Sequence, residues 1–123
     1  MSFIKCIAYD GNAAFFVDGI KLGLVRSARE YIKTEVYPIR AFGEPEGSSA
    51  AAAGKSYEIV IEREEAEDAV NFAIYDEFTL RLKRGNDAVV YGSCRCKSIE
   101  IKHTAGEPRV EVITLTATSR KEV

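Results

Sequence analysis

Apolar and polar residues alternate along much of this chain with a period of two, the spacing of a strand that buries one of its faces. In the segment 77–84, EFTLRLKR, the apolar positions are Phe78, Leu80 and Leu82, and polar residues stand between them. The segment 56–63, SYEIVIER, repeats the alternation with tyrosine and isoleucine. Because β-branched and aromatic residues fit the pleated surface of a sheet, the pattern predicts a mainly β chain.

Turn sequences divide the N-terminal part of the chain into further predicted strands. Asp18-Gly19 separates two apolar runs, 13–17 and 20–27, and is a typical hairpin turn. The stretch that follows, REYIKTEVYPIRAF, continues as an extended strand. Its Pro38 predicts an edge position or a bend, because proline has no amide hydrogen for the sheet ladder.

The C-terminal part is predicted to form a three-strand meander. The tripeptide GND after residue 84 links one strand to a second that includes Val89, and TAGEP at 104–108 leads into the third. These turn residues provide the backbone conformations that antiparallel neighbours need.

The second strand of the meander changes its apolar face part of the way along. Cys94 and Cys96 have one parity, whereas Ile99 and Ile101 have the other. A shift of one residue sends every following side chain to the opposite face of a sheet. The sequence therefore predicts a β-bulge or a sharp strand bend near residues 97–98.

One segment has helical rather than strand periodicity. In EREEAEDAVNFAIYDE, small apolar residues recur on one side of a helix at Ala66, Ala69, Val70 and Ala73. Acidic residues crowd its start, where the helix dipole favours negative charge. The expected fold is therefore mainly β, a β-sandwich or barrel-like pair of sheets, with one flanking α-helix at about residues 64–74.

Length and composition indicate the class of protein. The chain has 123 residues, of which 46% are apolar and 29% charged, as in a single soluble globular domain spanning residues 1–123. The net charge of -2 argues against a protein built to coat nucleic acid. No apolar run approaches the roughly 20 residues that cross a bilayer, and the N-terminal MSFIKCIAYDG lacks the features of a signal peptide. We expect synthesis and folding in a cytoplasm, without a membrane anchor.

The stretch GSSAAAAGKS, residues 47–56, ends like a phosphate-binding loop but departs from its consensus. Ser49 stands where glycine is required, and an alternating strand instead of a helix follows Lys55. The sequence predicts an extended loop at about residues 43–54, and loops of this length in a compact domain are commonly functional. Its small and acidic residues make it a candidate contact with another subunit. The candidate interface residues are Gly43, Glu44, Glu46, Ser49, Ala51, Ala52 and Lys55.

The sequence has no recognisable constellation of catalytic or metal-binding residues. The three cysteines, Cys6, Cys94 and Cys96, do not have zinc-site spacing, and His103 is the one histidine. We interpret the cysteines as reduced structural thiols. We therefore expect no enzymatic activity, no cofactor and no bound metal.

Basic residues recur on the predicted strands of the meander. They form one patch if their strands are neighbours, and they are Arg81, Lys83, Arg84, Arg95 and Lys97. Such a patch fits two partners, nucleic acid or the acidic face of another copy of the chain. The net negative charge and the lack of an aromatic stacking motif argue against the first.

The order of these elements resembles that of the phage tail-tube proteins, which form the rings of phage tails and of phage-like injection particles. The resembling features are V-D-G-x-x-x-G-x-V at residues 17–25, the strand–helix–strand middle, and Y-x-x-C at residues 91–94 followed by a long closing hairpin. The resemblance covers nearly the whole chain. It implies hexameric rings in which strands of neighbouring subunits continue one sheet around a central channel.

The resemblance also implies a structural role. Stacked rings would form the tail tube of a virion or phage-like particle, in contact with other tail, sheath or baseplate proteins, and DNA would be passing cargo. The loop at 43–54 would reach a neighbouring subunit or ring. The alternative is a ring-forming tail-terminator, tail-completion or baseplate adaptor that does not polymerise into a long tube.

Overall fold

The two-residue alternation gives a structure built from strands. The computed structural model describes residues 2–9, 13–39, 50–65, 71–72 and 76–123. These residues contain nine strands, and every pairing between them is antiparallel. The strands are β1 (Ser2–Tyr9), β2 (Ala14–Val17), β3 (Ile20–Lys21), β4 (Val25–Ile39), β5 (Ala50–Glu64), β6 (Phe78–Arg84), β7 (Asp87–Lys102), β8 (Val110–Ala117) and β9 (Ser119–Glu122). The prediction of a mainly β chain is confirmed.

The strands form one open sheet whose two halves share β7. The order along the sheet is β1-β4-β5-β8-β7-β6-β2-β3, and β9 also pairs with β7. Residues 87–94 of β7 lie beside β6 and β9, whereas residues 95–102 pair with β8. The long half of the sheet is β1, β4, β5, β8 and the second part of β7. The short half is β3, β2, β6, β9 and the first part of β7. In the described residues β1 and β3 end the strand order, so the predicted sandwich or barrel-like pair of sheets is instead one open sheet.

Both halves contribute apolar faces to one core. The short half supplies Phe15, Leu80 and Tyr91, and the long half supplies Ile59 and Ile113, each at most 1% exposed. Ile59 and Leu80 have the parity that the alternation assigns to the buried face. Removal of these side chains from water drives the two halves together.

The strand β7 passes from the short half to the long half at a bend formed by Gly92 and Ser93. Ser93 has a φ of 51°, a left-handed conformation that costs a non-glycine residue about 1–2 kcal/mol. The pairing of β7 with β6 shifts register here, between Phe78 and Leu80. On the edge of β7 that faces β9, the Thr118 amide donates a hydrogen bond to the Gly92 carbonyl oxygen at 3.1 Å. The Y-x-x-C motif therefore forms the corner between the halves.

A second irregularity lies further along β7. Its pairing with β8 shifts register between Cys96 and Ser98, which confirms the bulge predicted from the change of parity. Ile99 then pairs with a core residue of β8. The extra residue thus keeps Ile99 and Ile101 on the core side of the sheet.

The tight turns follow the sequence closely. Asp18 and Gly19 have φ values of 48° and 84°, the left-handed conformations of a two-residue hairpin turn between β2 and β3. Gly85, with a φ of 59°, provides the left-handed conformation of the turn between β6 and β7. The prediction of one strand at 20–27 is wrong, because β3 ends at Lys21 and a left-handed residue precedes β4.

Pro38 lies at an edge position, as its missing amide hydrogen predicts. It pairs with Ala51 of β5, whereas the pairing of β4 with β1 ends at Glu35. In the described residues β4 therefore has one neighbouring strand at this point. Because no second strand pairs with β4 here, the missing amide hydrogen of the proline costs no hydrogen bond on that side.

The predicted flanking helix at 64–74 is not confirmed, since the described residues contain no helix. Glu64 ends β5 and pairs with β8, and Phe72 lies in a turn, buried against another core phenylalanine. Strand pairing and core burial outweigh helical spacing at these two positions. Positions 66–70 and 73–74 of the prediction lie outside the described residues. No helix in the described part of the chain is long and apolar enough to cross a membrane.

The predicted loop at 43–54 was too long at its C-terminal end. β5 begins at Ala50 and pairs with β4 from that residue onward, so residues 50–54 are strand. An alanine run has no apolar–polar alternation to reveal a strand, and backbone pairing alone places it in the sheet. Residues 43–49 lie outside the described residues.

Candidate assembly edges and surfaces

The long half of the sheet has two edges that no described strand covers. β1 is the first strand of the order, and the pairing of β7 with β6 ends at Cys94. From there to Lys102, the described neighbour of β7 is β8 alone. An uncovered edge presents unpaired amide and carbonyl groups, which pair readily with a strand of another chain. These two segments are named the β1 edge and the β7 edge.

Both edges carry apolar side chains in contact with solvent. Phe3 and Ile4 on the β1 edge are 64% and 59% exposed. Ile99 and Ile101 on the β7 edge are 39% and 46% exposed. Exposed apolar side chains beside unpaired backbone are typical of a protein interaction site. The two edges are therefore the candidate assembly sites of the chain.

The strand β1 was not predicted from the sequence. Its apolar residues occupy both parities, with Phe3 and Ile7 on one face and Ile4 and Ala8 on the other. No alternation therefore marks the strand. The available signal is the density of β-branched and aromatic residues between positions 3 and 9.

The candidate interface residues of the predicted loop are placed in part. Outside the described residues lie Gly43, Glu44, Glu46 and Ser49. Ala51, Ala52 and Lys55 lie in β5 and pair with β4, and Lys55 is exposed. Their role in a subunit contact stays a prediction.

The predicted basic patch is divided between different parts of the sheet. Arg81 and Lys83 lie on the exposed face of β6, and Arg84 ends that strand. Arg95 and Lys97 lie in the long half, and each has a glutamate carboxylate 3.8 Å away. The five residues therefore do not form one surface, and those in the long half are locally neutralised.

One carboxylate is buried where the two halves meet. Glu30 of β4 has no exposed surface, and the Tyr9 hydroxyl donates a hydrogen bond to its Oε2 at 3.2 Å. Arg120 of β9 donates from Nε to Glu30 Oε1, and from Nη1 to Glu122 Oε1 at 3.0 Å. The Tyr91 hydroxyl is buried beside this pair without a well-oriented hydrogen bond to another described residue. The cluster ties β1 and β4 of the long half to β7 and β9 of the short half.

The environment of this cluster keeps its two tyrosines and its arginine protonated, because each has a raised pKa. Burial raises the pKa of Tyr91 far above its usual range, and the Glu30 carboxylate raises it further. The same two causes raise the pKa of Tyr9. Burial alone would lower the pKa of Arg120, but hydrogen bonds, with Glu30 first among them, raise it overall. Neither the tyrosines nor the arginine is therefore poised for proton transfer near neutral pH.

All three cysteines are free thiols, in different surroundings. Cys6 is exposed on β1, whereas Cys94 is buried and its Sγ donates to the Tyr91 carbonyl oxygen at 3.3 Å. Among the described residues, no group of three or more His, Cys, Asp or Glu side chains is placed to hold a metal ion. His103 is exposed after the end of β7.

We predict that one thiol, Cys6, reacts rapidly with Ellman's reagent in the folded protein at pH 8. Burial raises the pKa of Cys94 to about 11, and burial also raises the pKa of Cys96. At pH 8 a thiol with that pKa is ionised in about one molecule in a thousand, and the thiolate is the reactive form. Cys6→Ser should remove the rapid phase, and unfolding in urea should expose the other two. Rapid labelling of folded Cys6→Ser would contradict the prediction.

No protein-family model and no curated protein matches the sequence. Solved structures do match its fold. A chain of the virion of a native gene transfer agent (GTA) particle has 10% sequence identity and a TM-score of 0.71, over 94% of this chain and 98% of that one. A chain of the PVC sheath–tube complex, from an extracellular contractile injection system in its extended state, has 13% identity and a TM-score of 0.67, over 91% of this chain and 88% of that one.

A third match lies in a different part of such a particle. A chain of the anti-feeding prophage (AFP) baseplate has 12% identity and a TM-score of 0.56, over 90% of each chain. At these identities the matches establish the fold and no more. The chain has the fold of structural components of phage-like particles.

Proposed function

We propose that this chain is a structural, non-enzymatic subunit of a phage-like particle, whose copies assemble into hexameric rings that stack into a tail tube. The observation that carries the proposal is the pair of uncovered edges on the long half, each with exposed apolar side chains. Joining the β1 edge of one copy to the β7 edge of the next would satisfy both sets of backbone groups. The shared fold with particle components supports this role.

Strand direction limits how two copies join. The five strands of the long half alternate in direction, so β1 and β7 run the same way. A joint between the β1 edge and the β7 edge is therefore parallel if both copies have the same orientation around a ring axis. Such a joint is head-to-tail, which closes into a ring by rotation. A joint between two β1 edges would be two-fold symmetric and would stop at a dimer.

The second candidate function is a ring-forming adaptor, such as a tail-terminator, tail-completion or baseplate component. The fold match to a chain of the AFP baseplate favours this alternative. An adaptor would use the same edges to make a ring but would not stack into a long tube. In both functions the partners are further copies and other tail, sheath or baseplate proteins, and DNA is passing cargo.

The test is the size and shape of the purified protein over a range of concentrations. Light scattering with negative-stain electron microscopy should show stacked rings for a tube subunit and single rings for an adaptor. A folded protein that remains monomeric at every concentration would contradict both functions.

A further inference from the structure

The outer face of the short half carries a row of alternating basic and apolar side chains. The strands β3, β2, β6, β7 and β9 are neighbours in this order, and their register pairs one residue of each strand with one residue of the adjacent strand. The row reads Lys21, Phe16, Arg81, Val90 and Lys121. Neighbouring strands lie about 4.8 Å apart, so the three basic residues are spaced at roughly 10 Å.

A fourth cation extends this row along the sheet. Lys83 lies two residues beyond Arg81 on the same face of β6 and pairs with Ala14 and Ala88. A shallow hollow of about 450 Å³ lies between Arg81 and Lys83, with Phe16 and Val90 in its lining. Apolar surface therefore lies among the charges.

The cations of this face lack carboxylate partners among the described residues. This holds for Lys21, Arg81, Lys83 and Lys121, all of which are exposed. The carboxylate that lines the hollow belongs to Asp18, and its Oδ1 already accepts the Thr79 amide at 2.9 Å. Elsewhere in the described part of the chain, seven basic side chains do have a carboxylate partner, namely Arg26, Lys33, Arg63, Arg95, Lys97, Arg109 and Arg120. Among the described residues, positive charge thus exceeds negative charge on this face, with four cations beside the one Asp18 carboxylate.

We propose that this face is a docking surface for an acidic surface of a different protein. Unpaired cations attract carboxylates, and the apolar residues between them provide the desolvated centre that a protein interface needs. Nucleic acid fits less well, because the chain as a whole has a net charge of -2. A second copy also fits less well, because many of its carboxylates are already engaged. These include Glu30, Glu58, Glu64, Glu65, Glu77 and Glu111.

This inference does not rest on ring assembly, because the β1 and β7 edges belong to the long half. The test uses fluorescently labelled poly-L-glutamate as the acidic probe and a short double-stranded DNA as the competing polyanion. Binding is followed by anisotropy at low salt. Arg81→Gln/Lys83→Gln removes two charges from the face. Arg26→Gln/Lys33→Gln removes two charges from β4, which is not an edge strand of the long half, and is the matched control.

We expect the wild-type chain to bind poly-L-glutamate more tightly than DNA. Arg81→Gln/Lys83→Gln should weaken that binding about fivefold to tenfold, and the control by less than about twofold. Equal loss in both variants would overturn the proposal, because binding would then follow net charge alone. If the wild-type chain binds DNA more tightly than poly-L-glutamate, and Arg81→Gln/Lys83→Gln loses that binding, the ligand of this face is nucleic acid and the proposal is overturned.

Sizing of Arg81→Gln/Lys83→Gln separates this proposal from the proposed function. Self-assembly equal to that of the wild type supports a partner other than another copy. If this variant no longer self-assembles, the outer face of the short half makes contacts between copies of the chain, and the proposal is overturned. A monomeric wild-type chain that binds the acidic probe through this face would contradict the proposed function alone.

Discussion

Replacing Glu30 by alanine should lower the free energy of unfolding by about 3–5 kcal/mol, because the change leaves the Arg120 charge largely buried without its main partner. Glu30 is fully buried and also accepts the Tyr9 hydroxyl. Domains of this size have total stabilities of about 5–15 kcal/mol, so the loss is a large part of the whole. Urea unfolding followed by far-ultraviolet circular dichroism measures it.

The control for this prediction is the other acidic partner of Arg120. Glu122 has a side chain that is 74% exposed, so Glu122→Ala should cost less than about 1 kcal/mol. If Glu30→Ala does not fold, Glu30→Gln keeps the shape and one acceptor oxygen and should fold with a smaller loss. Equal small effects at both glutamates would show that the buried cluster does not hold the two halves together.

Placing lysine at Ile99 and Ile101 should weaken self-assembly at least about tenfold while leaving the subunit folded. Both side chains are already partly exposed, so the change costs the monomer little. At a joint between copies, the same lysines would lose hydration beside apolar surface, and charge on an edge strand opposes strand addition. Sedimentation velocity over a concentration series measures the change, with circular dichroism as the check on folding.

A matched control uses the same chemistry away from the long half. Ile20 and Leu24 are 39% and 56% exposed, close to the exposure of the two edge isoleucines. Ile20→Lys/Leu24→Lys should therefore assemble like the wild type. If this control and the edge variant weaken assembly equally, the effect comes from added charge and not from the β7 edge.

Mixing two blocked variants tests whether the joint is head-to-tail. Phe3→Lys/Ile4→Lys blocks the β1 edge and should be monomeric, as should Ile99→Lys/Ile101→Lys. Each keeps the edge that the other has lost, so an equal mixture should form dimers and nothing larger. A dimer formed by either variant alone would indicate a two-fold symmetric joint and would contradict the ring proposal.

Local features of the fold were predictable from the sequence because they depend on neighbouring residues. The positive φ angles at Asp18 and Gly19 follow from a turn that those residue types favour. The register shift at Cys96 and Ser98 follows from a change of parity within one strand. The predicted helix was not confirmed in the described residues, because Glu64 at its start pairs with β8 and strand pairing outweighs a weak helical preference there.

The candidate sites were much less predictable. The five cations of the predicted patch are close in sequence. In the part of the chain that the structure describes, Arg95 and Lys97 have carboxylates within ion-pair distance, whereas Arg81 and Lys83 do not. The other cations in the row with Arg81 lie on β3 and β9. No local sequence pattern indicates that β9 lies beside β7. Strand order therefore decides which charges are compensated.

The sequence by itself determined most of the strands, the tight turns, the bulge near residues 97–98 and the core-facing positions of β5 and β6, because alternation and turn chemistry act between residues close in the chain. The tertiary structure alone decided that β1 and part of β7 are left as edges, and that Glu30 meets Arg120 across 90 positions of sequence. Such pairings depend on which distant strands lie side by side. The packing of the whole core decides which strands become neighbours. A single apolar face is compatible with many partner faces, so no one strand specifies its neighbour by itself.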